Sequence, residues 1–151
     1  MLFKTHLAFG LLVGLFVLQY ISVPDKYIFL LLVVFASLIP DIDQPNSKIS
    51  HKIPVIPKIL SIFSKHRGIF HSVFIAVLFA LFVSYFSRSY GIALFLGYTS
   101  HLLIDGFTKQ GVNLLHPISK LRISGPIETG KIWELVLLVV IIIGIVLSLV
   151  K

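Results

Sequence analysis

Two histidines and an arginine lie within an eight-residue stretch, positions 65–72, directly before a long apolar run. They are His66, Arg67 and His71. A neutral imidazole binds divalent metals, and a guanidinium binds phosphate or carboxylate through paired hydrogen bonds. Ionisable side chains beside hydrocarbon are costly, so a cluster of them predicts a functional site. The alternative for Arg67 is that its side chain extends to lipid headgroups.

His101 and Asp105 form a second pair, four residues apart near the end of another apolar run. On a helix this spacing places both side chains on one face, one turn apart. A helix can give two ligands to one metal in this way. The alternative is a helix cap and a polar packing contact. Because an unpaired charge at the end of a membrane span is costly, the pattern favours metal ligation.

Asp41 and Asp43 follow Pro40 and are separated by one residue. A carboxylate there can bind a metal or cap the next turn. Together with the histidines, the ligand interpretation gains weight, because oxygen and imidazole donors suit Zn²⁺, Mn²⁺ or Fe²⁺, with Zn²⁺ favoured. The chain has no Cys, which excludes thiolate ligands.

The elements that must position these side chains are apolar. Hydrophobic residues make up 57% of the chain and charged residues 13%, against about 45–50% and about 25% in soluble proteins. The first apolar run also fits a signal peptide, but no A-x-A-type cleavage site follows it. Gly10 and Gly14 predict a face for close helix packing. We predict an all-α, polytopic membrane bundle of about five transmembrane helices in one domain, 1–151, with spans at 7–22, 27–40, 69–86, 91–105 and 133–150.

Five spans divide the polar residues unevenly between the two sides of the membrane. Ten of the 13 Lys and Arg fall on the side of the N-terminus, which the positive-inside rule makes cytoplasmic. All six His and five of the six acids fall on the same side. This distribution predicts one polar site at the cytoplasmic mouth of the bundle. The net charge of +7 does not indicate nucleic-acid binding, because the basic residues lie between apolar runs.

Short motifs with polar residues occur in order along nearly the whole chain. They are Thr5-His6 with Gly10, Pro40-Asp41-Ile42-Asp43, His66-Arg67-Gly68-Ile69-Phe70-His71-Ser72, Gly97-Tyr98-Thr99-Ser100-His101-Leu102-Leu103-Ile104-Asp105, Thr108 with Gly111-Val112, Pro117, and Thr129-Gly130 with Glu134. Through these motifs together the chain resembles the membrane-bound metal-dependent hydrolase family, small inner-membrane proteins of which some are described as LexA-binding. That family is similar in turn to the zinc-dependent phospholipase C and single-strand nuclease superfamily.

The resemblance implies phosphoester hydrolysis at a metal site. Glu134 falls on the family's Glu after Thr-Gly, where a buried carboxylate would be a ligand or a base. His116 replaces an aromatic residue and is not expected to be a ligand, and His51 matches no family motif. The metal ligands that the resemblance implies are His6, Asp41, Asp43, His66, His71, His101 and Asp105.

The first functional hypothesis is therefore an inner-membrane, metal-dependent hydrolase of phosphate esters, with lipid phosphoesters favoured as substrates. Asp43, Asp105 or Glu134 would accept the proton of a metal-activated water, and Arg67 would offset charge on the phosphate. A site at headgroup level would receive lipid substrates by lateral diffusion.

The second hypothesis is a non-catalytic membrane protein, whose His and Asp cluster binds a structural metal or docks a cytoplasmic protein partner. The basic cytoplasmic loops would serve docking too. A metal or proton transporter is disfavoured, because no ionisable residue lies in the middle of any predicted span.

Overall fold

The computed structural model describes residues 1–43 and 69–150, except for the side chains of 42, 43 and 69. Its described part contains no β-strand, only isolated bridges between Thr108 and Ile127 and between Val112 and Ile123. The all-helical prediction is confirmed for these residues. The α-helices are α1 (Phe3–Val17), α2 (Lys26–Ala36), α3 (Val73–Ser84), α4 (Arg88–Gly106) and α5 (Ile132–Val150), with short 3₁₀ turns at Ile39–Asp43 and Ile69–His71.

Helix α4 is the centre of the bundle and packs against α1, α2 and α3, whereas α5 packs mainly against α1. Small residues make this close packing feasible. A Cβ added at Gly97 would lie 2.2 Å from the carbonyl oxygen of Val33 on α2. One added at Gly91 would lie 1.9 Å from the Ser84 hydroxyl on α3. The backbones of neighbouring helices therefore lie against α4 on two sides.

The glycine spacing on α1 forms the predicted packing face. Gly10 and Gly14 are both buried. A Cβ at Gly10 would approach the Ser37 side chain to 2.9 Å, and one at Gly14 would approach Leu30 to 2.8 Å. Both contacts are with α2 and the residue that follows it. Helices α1 and α2 therefore pack closely at the two glycines, which have no side chains.

Helix α2 is shorter than the apolar run that contains it. Asp25 caps its start by accepting hydrogen bonds from the amides of Tyr27, at 2.8 Å, and Ile28, at 3.0 Å. The helix ends at Ala36, and the chain continues as the 3₁₀ turn that holds Pro40. Pro40 has no N–H to donate to the carbonyl of Ala36, four residues earlier, and its ring would clash with that carbonyl, which accounts for the early end. This turn carries Asp41 away from the helix axis into the polar end of the bundle.

The outside of the bundle is apolar. Large side chains such as Leu31, Phe35 and Phe82 are more than half exposed. Of the described helices, only α5 is long and apolar enough to cross a membrane by itself, with 19 residues and a mean hydropathy of 2.9. Helices α1 and α3 are apolar but shorter. The five predicted spans thus all contain helices, and their arrangement as five membrane crossings stays a prediction.

The packing predicts that Gly97→Ala destabilises the bundle by about 1–3 kcal/mol, the usual cost of overpacking. The new methyl group would meet the backbone of α2, which cannot rotate away. Gly144→Ala is the matched control, because its Cβ would meet only the flexible end of Leu12 at 3.2 Å. Thermal unfolding in detergent measures both. Equal melting temperatures for the two variants would contradict the α2–α4 contact.

Candidate metal centre

Five metal-ligating side chains from four parts of the chain meet at one end of the bundle. His6 comes from the first turns of α1, Asp41 and His71 from the two 3₁₀ turns, and His101 and Asp105 from the end of α4. The three imidazoles and the Asp105 carboxylate are at most 1% exposed, and the Asp41 side chain is 17% exposed. The site is therefore shielded from solvent except at Asp41.

The ring nitrogens face the carboxylate oxygens at short range. Nε2 of His6 lies 3.4 Å from Oδ1 of Asp105 and 4.0 Å from Oδ2 of Asp41. Nε2 of His101 lies 3.6 Å from Oδ1 of Asp41 and 3.7 Å from Oδ2 of Asp105. Nε2 of His71 lies 3.8 Å from Oδ1 of Asp41. Both oxygens of each carboxylate therefore face imidazole nitrogens, and Oδ1 of Asp41 faces two of them.

These separations fit a shared metal ion better than direct hydrogen bonds. A nitrogen-to-oxygen hydrogen bond is about 2.7–3.2 Å long. Two ligands bound tetrahedrally to one Zn²⁺, each at about 2.0–2.1 Å, lie about 3.4 Å apart. The ligand atoms of His6, Asp41 and His101 all lie within 4.8 Å of one another, and so do those of His71, His101 and Asp105. The donor set of imidazole and carboxylate suits a divalent cation.

The orientation of His101 is set by the main chain. Its Nδ1 lies 2.8 Å from the carbonyl oxygen of Ser37, which can only accept a hydrogen bond. Nδ1 therefore carries the proton, and Nε2 presents its lone pair to the centre of the cluster. The His6 ring stacks on His101, with centroids 3.9 Å apart and 10° between the planes. Ser37, at the C-terminal end of α2, therefore fixes the Nδ1-protonated tautomer, which is the one that a metal ligand at Nε2 requires.

Several ring nitrogens in the cluster are buried without a hydrogen-bond partner among the described residues. They are both nitrogens of His6, both of His71, and Nε2 of His101. A buried polar atom that makes no hydrogen bond costs about 1–3 kcal/mol. A cation between these nitrogens and the carboxylates would satisfy several of them at once.

The electrostatics keep Asp41 ionised. Burial raises the pKa of its carboxyl, but the interaction with His71 and the nearby imidazoles of His101 and His6, when protonated, outweigh burial and lower the pKa to about 2. Asp41 is therefore an anion at neutral pH, as a metal ligand must be.

Glu134 lies beside the cluster rather than within it. Its Oε1 accepts hydrogen bonds from the Leu2 amide, at 2.6 Å, and the Thr5 hydroxyl, at 2.9 Å. Its Oε2 accepts one from the Gly130 amide at 2.6 Å. The Met1 ammonium, next along the chain, donates to Oδ1 of Asp105 at 2.7 Å. Glu134 therefore joins the start of α1 to the start of α5 and helps to position His6.

Five of the predicted site residues come together, namely His6, Asp41, His71, His101 and Asp105, and Glu134 lies beside them. His116, which was not expected to be a ligand, belongs to neither group of converging ligand atoms. The remaining predicted site residues, His66, Arg67 and the Asp43 side chain, lie outside the described residues, as does His51.

Two supporting contacts were not predicted from the sequence. Ser37 orients His101 through its carbonyl group, which no side-chain pattern reveals. The Tyr98 hydroxyl donates to the Phe70 carbonyl and so holds the turn that carries His71. The spacing could have indicated a supporting role for Tyr98, since it lies one helical turn before His101 on the same face of α4.

Comparison with known proteins identifies the family. A model of the YdjM inner membrane proteins matches residues 1–150, almost the whole chain. The chain belongs to the YdjM inner membrane protein family. Members of this family reside in the inner membrane, and the apolar exterior of the bundle agrees with that location.

Three curated relatives illustrate the family. YvsG of Bacillus subtilis (strain 168) is 35% identical over 102 residues, which cover 65% of this chain and 63% of YvsG. The YdjM proteins of Escherichia coli (strain K12) and Shigella flexneri are each 33% identical over 93 residues, or 56% of this chain and 46% of theirs. The matches thus span between about half and two thirds of these relatives. No solved structure matches the chain.

The hydrogen bonds of Glu134 predict that Glu134→Gln lowers the free energy of unfolding by about 1–3 kcal/mol, because the new amide NH₂ would face a main-chain or hydroxyl donor. Glu128→Gln is the matched control, since the Glu128 side chain is exposed and its salt bridge is to the exposed Lys109. Its unfolding should hardly change. Thermal denaturation in detergent distinguishes the two, and an unaltered Glu134→Gln would contradict the positioning role.

Proposed function

We propose that this protein is an inner-membrane, metal-dependent hydrolase of phosphate esters, with lipid phosphoesters as the favoured substrate class. The observation that carries the proposal is the convergence of three imidazoles and two carboxylates at separations of 3.4–4.0 Å. The resemblance to the membrane-bound metal-dependent hydrolases supports the reaction class.

The metal would be held by His6, Asp41, His71, His101 and Asp105, with Zn²⁺ favoured over Mn²⁺ or Fe²⁺. Such an ion lowers the pKa of a bound water toward neutrality and polarises a phosphoryl oxygen. The open edge at Asp41 is where substrate would enter, because the other four side chains are enclosed.

The chain's own residues would handle the proton and the phosphate charge. We assign Asp105 as a proton acceptor through Oδ2, which faces the His101 imidazole at 3.7 Å, since Oδ1 accepts a hydrogen bond from the Met1 ammonium. The Glu134 carboxylate has both oxygens occupied by donors, so we assign it to positioning. Asp43 and Arg67 keep their predicted roles as proton acceptor and phosphate-binding cation.

The site would face the cytoplasm. The support is the distribution of charge, since ten of the 13 cationic side chains fall on the predicted side of the N-terminus. That placement would bring the metal centre to the level of the inner-leaflet headgroups, where a lipid phosphoester is presented.

A second candidate function is a structural metal site in a non-catalytic protein, with or without a docked cytoplasmic partner. The observation in its favour is the near-complete burial of His6, His71, His101 and Asp105. Structural metal sites are closed, whereas catalytic sites keep one position open to water.

The experiment that tests both candidates combines elemental analysis with hydrolysis of a chromogenic phosphodiester and phosphomonoester. We expect stoichiometric metal and turnover in the wild type, and loss of both in a His71→Ala, His101→Ala double variant, because two of its imidazole ligands are gone. Asp41→Asn tests the same site with little change in shape. His116→Ala is the control, since His116 is a histidine outside the cluster.

Metal that copurifies without turnover on either substrate would favour the structural candidate. Wild-type protein without metal, or a double variant that keeps full metal content, would contradict both candidates. Circular dichroism of each variant separates loss of the site from loss of the fold.

A further inference from the structure

A groove of about 330 Å³ lies between the start of α1 and the first turns of α5. Leu2 and Thr5 line it from the side of α1, and Lys131, Leu135 and Leu138 line it from the side of α5. The volume is at the lower end of the range for small-molecule sites, about 300–1,000 Å³. Neither the metal centre nor the packing of the bundle accounts for this groove.

The groove is polar at one end and apolar at the other. Gly130 and Lys131 form its polar end, where α5 begins. Leu138 lies two turns further along the helix, about 10 Å deeper at 1.5 Å per residue. A glycerophospholipid has the same gradient, from a charged headgroup to hydrocarbon. Trp133, 66% exposed, lies beside the polar end, where aromatic side chains mark the membrane interface.

The charge at the polar end suits an anionic headgroup. Lys131 is exposed and forms no salt bridge among the described residues. The Glu128 carboxylate lies within electrostatic range of Lys131 but is already paired with Lys109. The acidic group that lines the groove, Glu134, directs its oxygens to the amides of Leu2 and Gly130 and to a hydroxyl. The start of α5 also carries the positive end of the helix dipole.

We propose that this groove binds one anionic phospholipid, with its phosphate at Lys131 and an acyl chain against Leu135 and Leu138. The inference rests on the membrane location of the family and does not depend on hydrolysis. The groove lies beside the metal centre, because Leu2 and Glu134 line it and the adjacent Met1 ammonium contacts Asp105.

Fluorescence of Trp133, the single Trp of the chain, tests the proposal. The purified protein is placed in phosphatidylcholine vesicles that contain a small fraction of dibrominated phosphatidylglycerol or, for comparison, dibrominated phosphatidylcholine. The lipids are extracted after the measurement, and their intact phosphoesters show that turnover plays no part. Bromine quenches the indole only when the labelled chain is adjacent. We expect the anionic lipid to quench at about fivefold lower mole fraction, the effect of one cation near the surface.

Two pairs of variants locate the site. Lys131→Gln should abolish the anionic preference, whereas Lys120→Gln, at another exposed position of the preceding loop, should keep it. Leu138→Phe should weaken quenching by filling the groove, whereas Leu149→Phe, at the far end of α5, should not.

Equal quenching by the two brominated lipids in the wild type would overturn the proposal, because it indicates random lipid contact. A preference that survives both Lys131→Gln and Leu138→Phe would overturn it too, since the lipid would then bind elsewhere. Neither result would affect the proposed metal centre, whose test uses metal content and turnover.

Discussion

The fold has to keep two carboxylates and three imidazoles together away from water. Asp105 is 0% exposed, and so are His71 and His101. Burial of a charged group costs several kcal/mol per ion unless opposite charge compensates it. The Met1 ammonium pairs with Oδ1 of Asp105 at 2.7 Å, whereas the imidazole-to-carboxylate separations of 3.4–4.0 Å are longer than hydrogen bonds. The metal ion that we propose would add positive charge beside both carboxylates, and the surrounding helices position its five ligands.

The packing of the helices around the cluster positions its ligands. Gly97 lets α2 approach α4 closely enough for the Ser37 carbonyl to reach His101. Gly10 lets α1 pack beside the same serine, with His6 one turn earlier in the helix. The short α2 ends before Pro40, so Asp41 can turn inward. Each of these features places one ligand of the cluster or a group that supports a ligand.

The sequence predicted much of this arrangement. The spacing of His101 and Asp105 predicted a shared face, and the structure places Nε2 and Oδ2 3.7 Å apart on α4. The glycines of α1 predicted its packing face. The convergence of His6 with the later residues could be inferred only from the side of the membrane and from the family resemblance, because no local pattern links residues so far apart in the chain.

Other features could not be predicted from sequence, for physical reasons. The Ser37 contact uses a main-chain carbonyl, a group that every residue has, so residue type carries no signal for it. The three donors to Glu134 come from two ends of the chain, and only the packing of α1 on α5 joins them. Helix length alone also does not support five membrane crossings. Helix α2, with 11 residues, is about 17 Å long, whereas the hydrocarbon core is about 30 Å thick.

The central claim is that the five side chains share a metal ion, and X-ray absorption spectroscopy of the purified protein at the metal edge tests it most directly. The account predicts a first shell of nitrogen and oxygen at about 2.0–2.1 Å for Zn²⁺, with the outer-shell scattering of several imidazoles. A spectrum without imidazole scattering, or a protein that holds no metal after purification in metal-supplemented buffer, would contradict it.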